Sequence, residues 1–231
     1  MRRAASWICL TAGALALVVA ALIWAMDMTA TDSGRYMAIH ETLNTQTGLD
    51  EEGVRRADRA LAVYLRGRDG EDDDLDYEDS VYGETTRVFN DREIEHMRDV
   101  RGIFETARKI EMWAIIAGVL LMVAGICLYN RASASRALKS VNIAVSVIAV
   151  AAASGVYLIT RDFSRAFLAM HSLLFDNDLW VLNPETDLMI RLLPEQFFQS
   201  MARQMAVSAI WMLVAVAAAS TAGILVIKKR N

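Results

Sequence analysis

The stretch that decides the fold is MWAIIAGVLLMVAGICLY, residues 112–129, which contains no charged side chain. A helix of about 20 apolar residues is long enough to cross the hydrocarbon core of a bilayer. Three further windows have the same character, namely residues 7–26, 141–159 and 205–227. The pattern therefore predicts an all-α membrane protein with four transmembrane helices.

The first apolar window follows Arg2 and Arg3, an arrangement that is also typical of a secretory signal peptide. Its apolar core is longer than that of a usual signal peptide, and no clear small-x-small cleavage site follows it. We therefore interpret this window as a transmembrane helix that is retained in the mature protein.

The charges assign the two sides of the membrane. Basic residues without acidic ones occur at positions 2–3, 131–139 and 228–230, whereas residues 27–109 hold 12 basic and 21 acidic residues. Because basic residues accumulate on the cytoplasmic side, we predict that both termini are cytoplasmic. The predicted segments are transmembrane helices at 7–26, 112–130, 140–160 and 205–227, a cytoplasmic loop at 131–139, and extracytoplasmic loops at 27–111 and 161–204.

Each outer segment carries a histidine on a predicted helix. In FNDREIEHMRDV, residues 89–100, Asn90 is typical of an N-cap and the apolar residues recur at helical spacing, which places His96 on a partly apolar face. In the second outer segment Phe167 and His171 share a helical stripe, so His171 lies on an aromatic face. Both histidines are therefore candidates for half-buried functional groups.

The rest of the first outer segment is less informative. Asp50 is expected to begin a helix with one apolar stripe, which ends near Gly67. Residues 27–49 show no clear period, so we expect an extended or irregular segment there, and we interpret His40 as a solvated loop histidine. The acidic run at 71–79 is predicted to be a solvated loop, and a calcium site is the alternative, although the glycine and distal glutamate of an EF-hand are missing.

Two outer motifs carry a family resemblance. FNDREIEHMRDV (89–100) and FLAMHSLLFDNDLWVLNPETDLMIRLLPEQFF (167–198) resemble the corresponding segments of four-span bacterial membrane proteins of the lipoprotein intramolecular transacylase family. The resemblance implies four transmembrane helices with an extracytoplasmic, mainly helical cap in the bacterial cell membrane. It further implies that His96 and His171 correspond to the two catalytic histidines of the family.

The activity that this resemblance implies moves the sn-2 acyl chain of a diacylglyceryl lipoprotein to the amino group of its N-terminal cysteine, giving a lyso-form lipoprotein. Such a transfer needs a base for the amine, a stabiliser for the oxyanion and an acid for the leaving oxygen, but no enzyme nucleophile. We expect His96 to be the base and His171 to protonate the leaving oxygen or bind the oxyanion. We expect no cofactor and no bound metal.

Other side chains of the two motifs are expected to support the histidines. A confined aromatic pocket would hold the amine near the ester and exclude water; its candidates are Phe89, Phe167, Phe175 and Trp180. Charged groups could stabilise negative charge or orient an imidazole, and these are Arg92, Glu93, Asp99 and Asp178. The alternative interpretation is that the charged residues form salt bridges within the cap.

Two other functions remain open at this stage. A metal-dependent membrane hydrolase could use Glu93 and His96 as an E-x-x-H pair, completed by His171 with Asp176 or Asp178. A non-catalytic sensor or partner-binding protein needs no special residues. For the transacylase we expect a diacylglyceryl lipoprotein and membrane lipid as partners, no nucleic acid, a monomeric chain, and an active site on the extracytoplasmic side.

Overall fold

A computed structural model describes residues 2–43, 45–67, 74–128 and 131–229 of the chain. Four helices in these ranges are long and apolar enough to cross a membrane, which confirms the four predicted spans. The elements in chain order are α1 (Arg2–Ala30), α2 (Ser33–His40), α3 (Glu51–Arg66), β1 (Glu78–Val81), β2 (Glu84–Arg87), α4 (Asp91–Cys127), α5 (Arg131–Arg161), α6 (Phe163–Leu174), α7 (Leu188–Leu192) and α8 (Glu195–Lys229). The spans are α1, α4, α5 and α8.

The chain divides into two compact units. We call the first the span unit; it consists of Met1–Met26, Ala107–Leu158 and Ala206–Asn231. We call the second the outer unit; it consists of Asp27–Thr106 and Ile159–Met205. The two predicted histidines, His96 and His171, both belong to the outer unit.

Within the span unit, α1 and α4 approach each other through small residues. A Cβ atom added to Gly13 would lie 2.9 Å from the backbone oxygen of Gly118. The Ser6 hydroxyl donates a hydrogen bond of 3.0 Å to the backbone oxygen of Gly125, further along the same contact. Small residues permit such close approach because no side chain separates the two backbones. The contact therefore depends on glycine at these positions.

The outer unit is organised around α3, which confirms the predicted helix. Asp50 caps its first turn by accepting a 2.6 Å hydrogen bond from the backbone N–H of Gly53. Gly67 ends it in the left-handed conformation at φ 64°, which glycine adopts without steric cost. The apolar stripe of α3, including Leu61 and Leu65, is buried in the core of this unit. His96 and His171 therefore belong to a folded unit with its own apolar core.

The segment at residues 27–49 is more regular than we predicted. Helix α1 continues to Ala30, and Asp32 then caps α2 by accepting a 3.0 Å hydrogen bond from the backbone N–H of Gly34. Our expectation of an extended or irregular segment is therefore wrong for residues 27–30 and 33–40, and it agrees with the described residues between α2 and α3. The periodicity was too weak to reveal α2, because in this eight-residue helix the buried residues are Tyr36 and Ile39.

The end of the acidic run lies in a β-hairpin. Its last residues enter β1, which pairs with β2 in antiparallel register through a turn at Tyr82 (φ 53°) and Gly83 (φ 85°). The Tyr82 backbone N–H donates a 2.8 Å hydrogen bond to the carbonyl of Gly48, which ties the turn to the preceding segment. The prediction of a loop is wrong for residues 78–79, while residues 71–73 lie outside the described ranges.

The second and third spans differ from the expected bounds. Helix α5 begins at Arg131, so the segment 131–139, which we assigned to a loop, is helical. Helix α4 begins at Asp91, well before the expected start of the second span at residue 112, and is continuous through Gly102.

The pair Ala151 and Gly155 has the small-xxx-small spacing that permits close helix packing, yet a Cβ atom added to Gly155 would meet nothing within 4 Å.

The glycine contact in the span unit leads to a stability prediction. Replacing Gly13 by alanine forces the α1 and α4 backbones apart, so Gly13→Ala should lower the free energy of unfolding by about 1–3 kcal/mol. The matched control Gly155→Ala adds a methyl group in open space and should be neutral or stabilising by up to about 1 kcal/mol. Thermal unfolding in detergent micelles measures both, and equal Tm values for the two variants would contradict this packing.

Candidate active site

The start of α4 is fixed by a buried carboxylate, which we call the Glu93 anchor. The Asn90 side-chain oxygen accepts a 3.0 Å hydrogen bond from the backbone N–H of Glu93, and the Glu93 carboxylate accepts one of 2.7 Å from the backbone N–H of Asn90. This reciprocal arrangement satisfies free N–H groups of the first helical turn. The second oxygen of Glu93 accepts a 2.5 Å hydrogen bond from the backbone N–H of Met189. The anchor therefore joins α4 to α7.

Asp187 strengthens the same junction. Its carboxylate accepts hydrogen bonds from the Asn90 side-chain amide at 2.9 Å, the Asn183 backbone N–H at 2.7 Å and the Thr186 hydroxyl at 2.8 Å. Burial raises the pKa of Asp187, but these hydrogen bonds outweigh it and the net pKa is lowered. We did not predict a role for Asp187 from the sequence. The feature that could have indicated it is an aspartate four residues after Asn183, because the pair Asn183–Pro184 is typical of a turn.

The structure brings His96 and His171 together from segments 75 residues apart in the chain. Their ring centroids are 6.1 Å apart, and each residue is 7% exposed. The Phe175 ring lies 5.1 Å from His96 and 5.6 Å from His171, so it borders both imidazoles. Rings at this separation can both contact one substrate group, and proton transfer needs a ring nitrogen within about 3 Å of that group.

Both imidazoles line a cavity of about 270 Å³ with mostly aliphatic and aromatic walls. The polar groups of two other lining side chains are already satisfied: the Tyr36 hydroxyl donates to the Ala30 carbonyl at 2.7 Å, and the Trp180 ring N–H donates to the Asn177 carbonyl at 2.9 Å. Among the described lining residues, the two histidines are thus the groups suited to proton transfer. Burial, followed by the charge of the nearby His171, lowers the pKa of His96 to about 4, so its ring is neutral at pH 7.

The hydrogen bond of His171 fixes which of its nitrogens reacts. Its Nδ1 lies 2.9 Å from the carbonyl oxygen of Phe167, which can only accept, so Nδ1 carries the proton and Nε2 is left to react. Burial lowers the pKa of His171, and this hydrogen bond offsets only part of the effect. Nδ1 of His96 is buried without a hydrogen-bond partner in the described part of the chain. Each histidine therefore keeps a nitrogen for substrate.

The predicted aromatic residues divide into two groups. Phe167, Phe175 and Trp180 line the cavity, and their rings lie 4.1, 5.6 and 5.0 Å from that of His171. Phe89 is fully buried elsewhere in the outer unit, where its ring packs edge-on against Tyr77 at 6.2 Å. It is not among the residues that line the cavity.

The predicted charged residues lie around the imidazoles without bonding to them. Arg92 donates a hydrogen bond to the backbone carbonyl of Asp178, and the Asp178 carboxylate lies 3.9 Å from the same guanidinium. Asp99 accepts a 2.9 Å hydrogen bond from the side-chain amide of Asn177. These contacts fasten the segment that carries Trp180 to α4, while Glu93 is occupied by its backbone partners. The positions of these residues therefore fit the alternative interpretation, in which they form contacts within the fold, better than a role in orienting an imidazole.

The hydrogen bonds of Glu93 argue against the alternative of a metal-dependent hydrolase. Both Glu93 oxygens already accept hydrogen bonds from backbone N–H groups, so the E-x-x-H pair with His96 is not free to bind an ion. Across the described ranges, no group of three histidine, cysteine or acidic side chains is placed to hold a metal ion. The donor set expected for a zinc site is therefore not assembled there.

The third histidine, His40, is not the solvated residue that we predicted. Its Nδ1 lies 2.8 Å from the Asp58 carboxylate and its Nε2 lies 2.8 Å from the Leu192 carbonyl, with 7% of the side chain exposed. Burial lowers the pKa of His40, but the hydrogen bond and charge of Asp58, together with the Leu192 carbonyl, outweigh it and raise the net pKa. His40 thus joins α2, α3 and α7. The sequence feature that could have indicated a buried partner for His40 is Asp58, which lies beside the apolar stripe of α3.

Fold and site together define a multi-pass membrane enzyme that pairs two imidazoles in an apolar cavity. A profile of the family described as lipoprotein intramolecular transacylase Lit matches residues 9–198, and the chain belongs to this family. It is accordingly an acyltransferase of lipoprotein modification. No curated protein matches the chain.

Solved structures agree on the fold. An in meso structure of the membrane integral lipoprotein intramolecular transacylase Lit from Bacillus cereus is similar with a TM-score of 0.76 and 19% sequence identity, covering 97% of each chain. Two further structures of that protein, in which one histidine is replaced by arginine or by alanine, give TM-scores of 0.67 and 0.68, also at 19% identity. They cover 98% and 97% of this chain and 95% of their own.

The opposite pKa shifts of His40 and His171 can be measured directly. At pH 6.5, the ordinary pKa of a histidine, we expect His171 to be mostly neutral and His40 mostly protonated, because burial dominates at His171 and two acceptors surround His40. NMR titration of the protein with ring-labelled histidine in micelles gives both midpoints, with single substitutions for assignment. A midpoint for His171 above that of His40 would contradict the site's electrostatics.

Proposed function

We propose that this chain moves the sn-2 acyl chain of a diacylglyceryl lipoprotein to the amino group of its N-terminal cysteine, with His96 and His171 as the acid/base pair. The observation that carries the proposal is the meeting of the two imidazoles at 6.1 Å in one apolar cavity. Membership of the transacylase family supplies the reaction class. The product is a lyso-form lipoprotein whose cysteine carries an amide-linked acyl chain.

The reaction conserves all heavy atoms of its substrate. The amine nitrogen attacks the ester carbonyl, a C–N bond forms, and the C–O bond to the glyceryl group then breaks. Starting from an ammonium group, the nitrogen loses two protons. One leaves the site as the net proton of the reaction, and the other is carried to the departing glyceryl oxygen. Two groups that accept and return protons near neutral pH are therefore sufficient.

The different surroundings of the two histidines support different roles. The Phe167 carbonyl stabilises a protonated ring at His171, which suits the histidine that carries the proton from nitrogen to the leaving oxygen through Nε2. His96 is buried without such a partner in the described part of the chain, so its neutral form is favoured and it can accept the first proton. This division keeps His96 as the base and His171 as the acid.

The apolar walls contribute through confinement. Holding amine and ester in a reactive geometry lowers the barrier by about 7–11 kcal/mol in the best cases, because the entropy of bringing the groups together is no longer lost in the reaction step. Exclusion of water also protects the ester from hydrolysis. Phe175 and Trp180 border the imidazoles closely enough to serve both purposes.

We further propose that both termini are cytoplasmic and that the outer unit lies on the extracytoplasmic side. The excess of acidic residues at 27–109 and the basic residues at 131–139 and 228–230 support this orientation. One chain supplies both histidines, which supports a monomeric enzyme, and membrane lipid surrounds its spans. In this orientation the site acts on a diacylglyceryl lipoprotein, which already carries its lipid, on the extracytoplasmic side.

Removal of either histidine tests the proposal. His96→Ala and His171→Ala should each lower the rate of lyso-form production by about 100- to 10,000-fold, the usual contribution of a general acid or base. The rate is measured by mass spectrometry of the N-terminal lipopeptide from a purified diacylglyceryl lipoprotein. Glu95→Ala and Ser172→Ala, at exposed neighbours of the two histidines, are the matched controls and should leave the rate unchanged. Normal activity of both histidine variants, with membrane amounts confirmed, would overturn the assignment.

A chelator distinguishes the transacylase from the metal-dependent hydrolase. We expect dialysis against EDTA to leave lyso-form production unchanged, since the proton transfers are assigned to imidazoles. The same assay should show no free fatty acid in excess of a protein-free control. Loss of activity that zinc restores, or release of free fatty acid as the main product, would favour the hydrolase.

A further inference from the structure

Helix α7 forms part of the wall of the active-site cavity, and it is held at both ends. Met189 and Leu193, at its start and just after its end, line the cavity. The Met189 backbone N–H donates to the Glu93 anchor, and the Leu192 carbonyl lies 2.8 Å from Nε2 of His40. A helix of five residues has little stability of its own, so its position depends on these two contacts.

His40 also reaches the cavity wall through its ring. The imidazole packs against the Phe197 ring with the centroids 5.2 Å apart, and Phe197 lines the cavity. Phe197 in turn packs edge-on at 5.0 Å against Tyr36, which lines the cavity as well. His40 is not itself among the residues that line the cavity. It therefore lies directly behind the wall, in contact with two parts of it.

The geometry requires an extra proton on the pair formed by His40 and Asp58. Nε2 faces the Leu192 carbonyl, which only accepts, so Nε2 carries a hydrogen. Nδ1 lies 2.8 Å from the Asp58 carboxylate, and a second proton must lie between these two atoms, because two bare acceptors would repel each other. The two groups share this proton and titrate as a pair. Once it is lost, one ring N–H faces two acceptors, and one of the two contacts must break.

The pair is connected to solvent by a second cavity of about 220 Å³, which we call the His40 cavity. Its wall includes both members of the pair and the exposed side chains of Glu41, Glu51 and Arg55. Glu51 and Arg55 form an ion pair with each other. The proton of the pair therefore exchanges with the medium without passing through the active-site cavity.

The surroundings favour the protonated pair. Burial lowers the pKa of His40, but the hydrogen bond and charge of Asp58, with the Leu192 carbonyl, outweigh it. Burial also raises the pKa of Asp58, and the hydrogen bond and charge of His40 offset only part of this effect. Two tyrosines close to Asp58, Tyr36 and Tyr77, stay neutral because burial raises the pKa of both hydroxyls. The pair therefore keeps its proton at pH 6.5, the ordinary pKa of histidine, and loses it only at higher pH.

We propose that His40 is a positioning residue of the transacylation site, and that it holds α7 in place only while the His40–Asp58 pair keeps its proton. The wall of the cavity is then complete at low pH and loosens on the alkaline side of pH 6.5. The effect on reaction rates rests on the proposed function, whereas the hold on α7 does not.

Asp58→Asn separates the hold on α7 from its titration. The asparagine amide donates to Nδ1 from the position of the carboxylate oxygen that faces the ring, and a neutral His40 donates from Nε2 to the Leu192 carbonyl. The amide oxygen takes the place of Oδ1 of Asp58, which is buried without a hydrogen-bond partner in the described part of the chain. Both contacts are thus kept without a titrating proton.

The first test is the pH profile of lyso-form production, with each profile scaled to its own value at pH 6.5. The substrate amine contributes the same change to every profile, so their ratio reports on the pair. At about pH 9 the scaled rate of Asp58→Asn should exceed that of the wild type by about tenfold or more, since misplacing a group by about 1 Å costs up to about 100-fold. The control Glu41→Gln removes a carboxylate from the His40 cavity and should keep the wild-type profile. Superimposable wild-type and Asp58→Asn profiles would overturn the proposed pH dependence.

His40→Ala removes the hold on α7 at every pH. Its kcat at pH 6.5 should fall about 10- to 100-fold with little change in KM, because the groups that contact substrate remain. Its scaled pH profile should match that of Asp58→Asn, which a loss of fold stability alone would not produce. An unchanged kcat would show that His40 does not position the site.

Hydrogen exchange of the α7 backbone tests the hold without the reaction. Wild type and Asp58→Asn are compared in detergent micelles at the same pH, so the intrinsic exchange rates of residues 188–193 cancel. Protection of this segment should be equal at pH 6.5 and lower in the wild type at about pH 9, where the pair has lost its proton. Equal protection of the two proteins at both pH values would contradict the proposed hold.

The two kinds of measurement separate this inference from the proposed function. If α7 loses protection as expected while no lyso-form lipoprotein is produced, the proposed function fails and the hold on α7 stands. If transacylation proceeds with superimposable profiles and equal protection, the inference fails and the proposed function stands.

Discussion

The site depends on one buried carboxylate. Glu93 accepts hydrogen bonds from the backbone N–H groups of Asn90 and Met189, and so fastens the first turn of α4 to a segment almost a hundred residues later. A buried carboxylate is costly unless it is hydrogen-bonded, so this arrangement strongly favours one geometry over others. His96 follows Glu93 by three residues on the same helix. The anchor therefore sets the position of the helical turn that carries the first imidazole.

The second imidazole is positioned differently, by the backbone of its own helix. The Phe167 carbonyl holds Nδ1 of His171, which selects the tautomer without a second charged group inside the cavity. A carboxylate in that place would raise the pKa of the ring and keep the ring protonated. The effect of a neutral carbonyl is smaller, so burial dominates and the pKa of His171 is lowered. The charged residues Arg92 and Asp99 instead hold the segment that bears Trp180. Apolar walls and neutral imidazoles together suit a lipid-bearing amine.

The sequence predicts those features that arise from strong local patterns. The four spans follow from uninterrupted apolar windows, and the Asn90 cap and the α3 stripe follow from short-range rules. The features that it did not predict depend on contacts between distant segments. His40 looked solvated because its partners, Asp58 and the Leu192 carbonyl, lie 18 and 152 residues away. Likewise the role of Glu93 became clear only once Met189 was placed beside it. The pairing of His96 with His171 was expected from the family resemblance, since spacing alone does not bring two helices together.

If the two imidazoles act as one unit on one substrate, the effects of removing them are not independent, and a double-mutant cycle of transfer rates measures this dependence. Residues that share one catalytic step are strongly non-additive, because removing the first already abolishes the step. We expect the His96→Ala, His171→Ala double variant to transfer the acyl chain no more slowly than the slower single variant. Losses that multiply in the double variant would show instead that the two histidines act independently of each other.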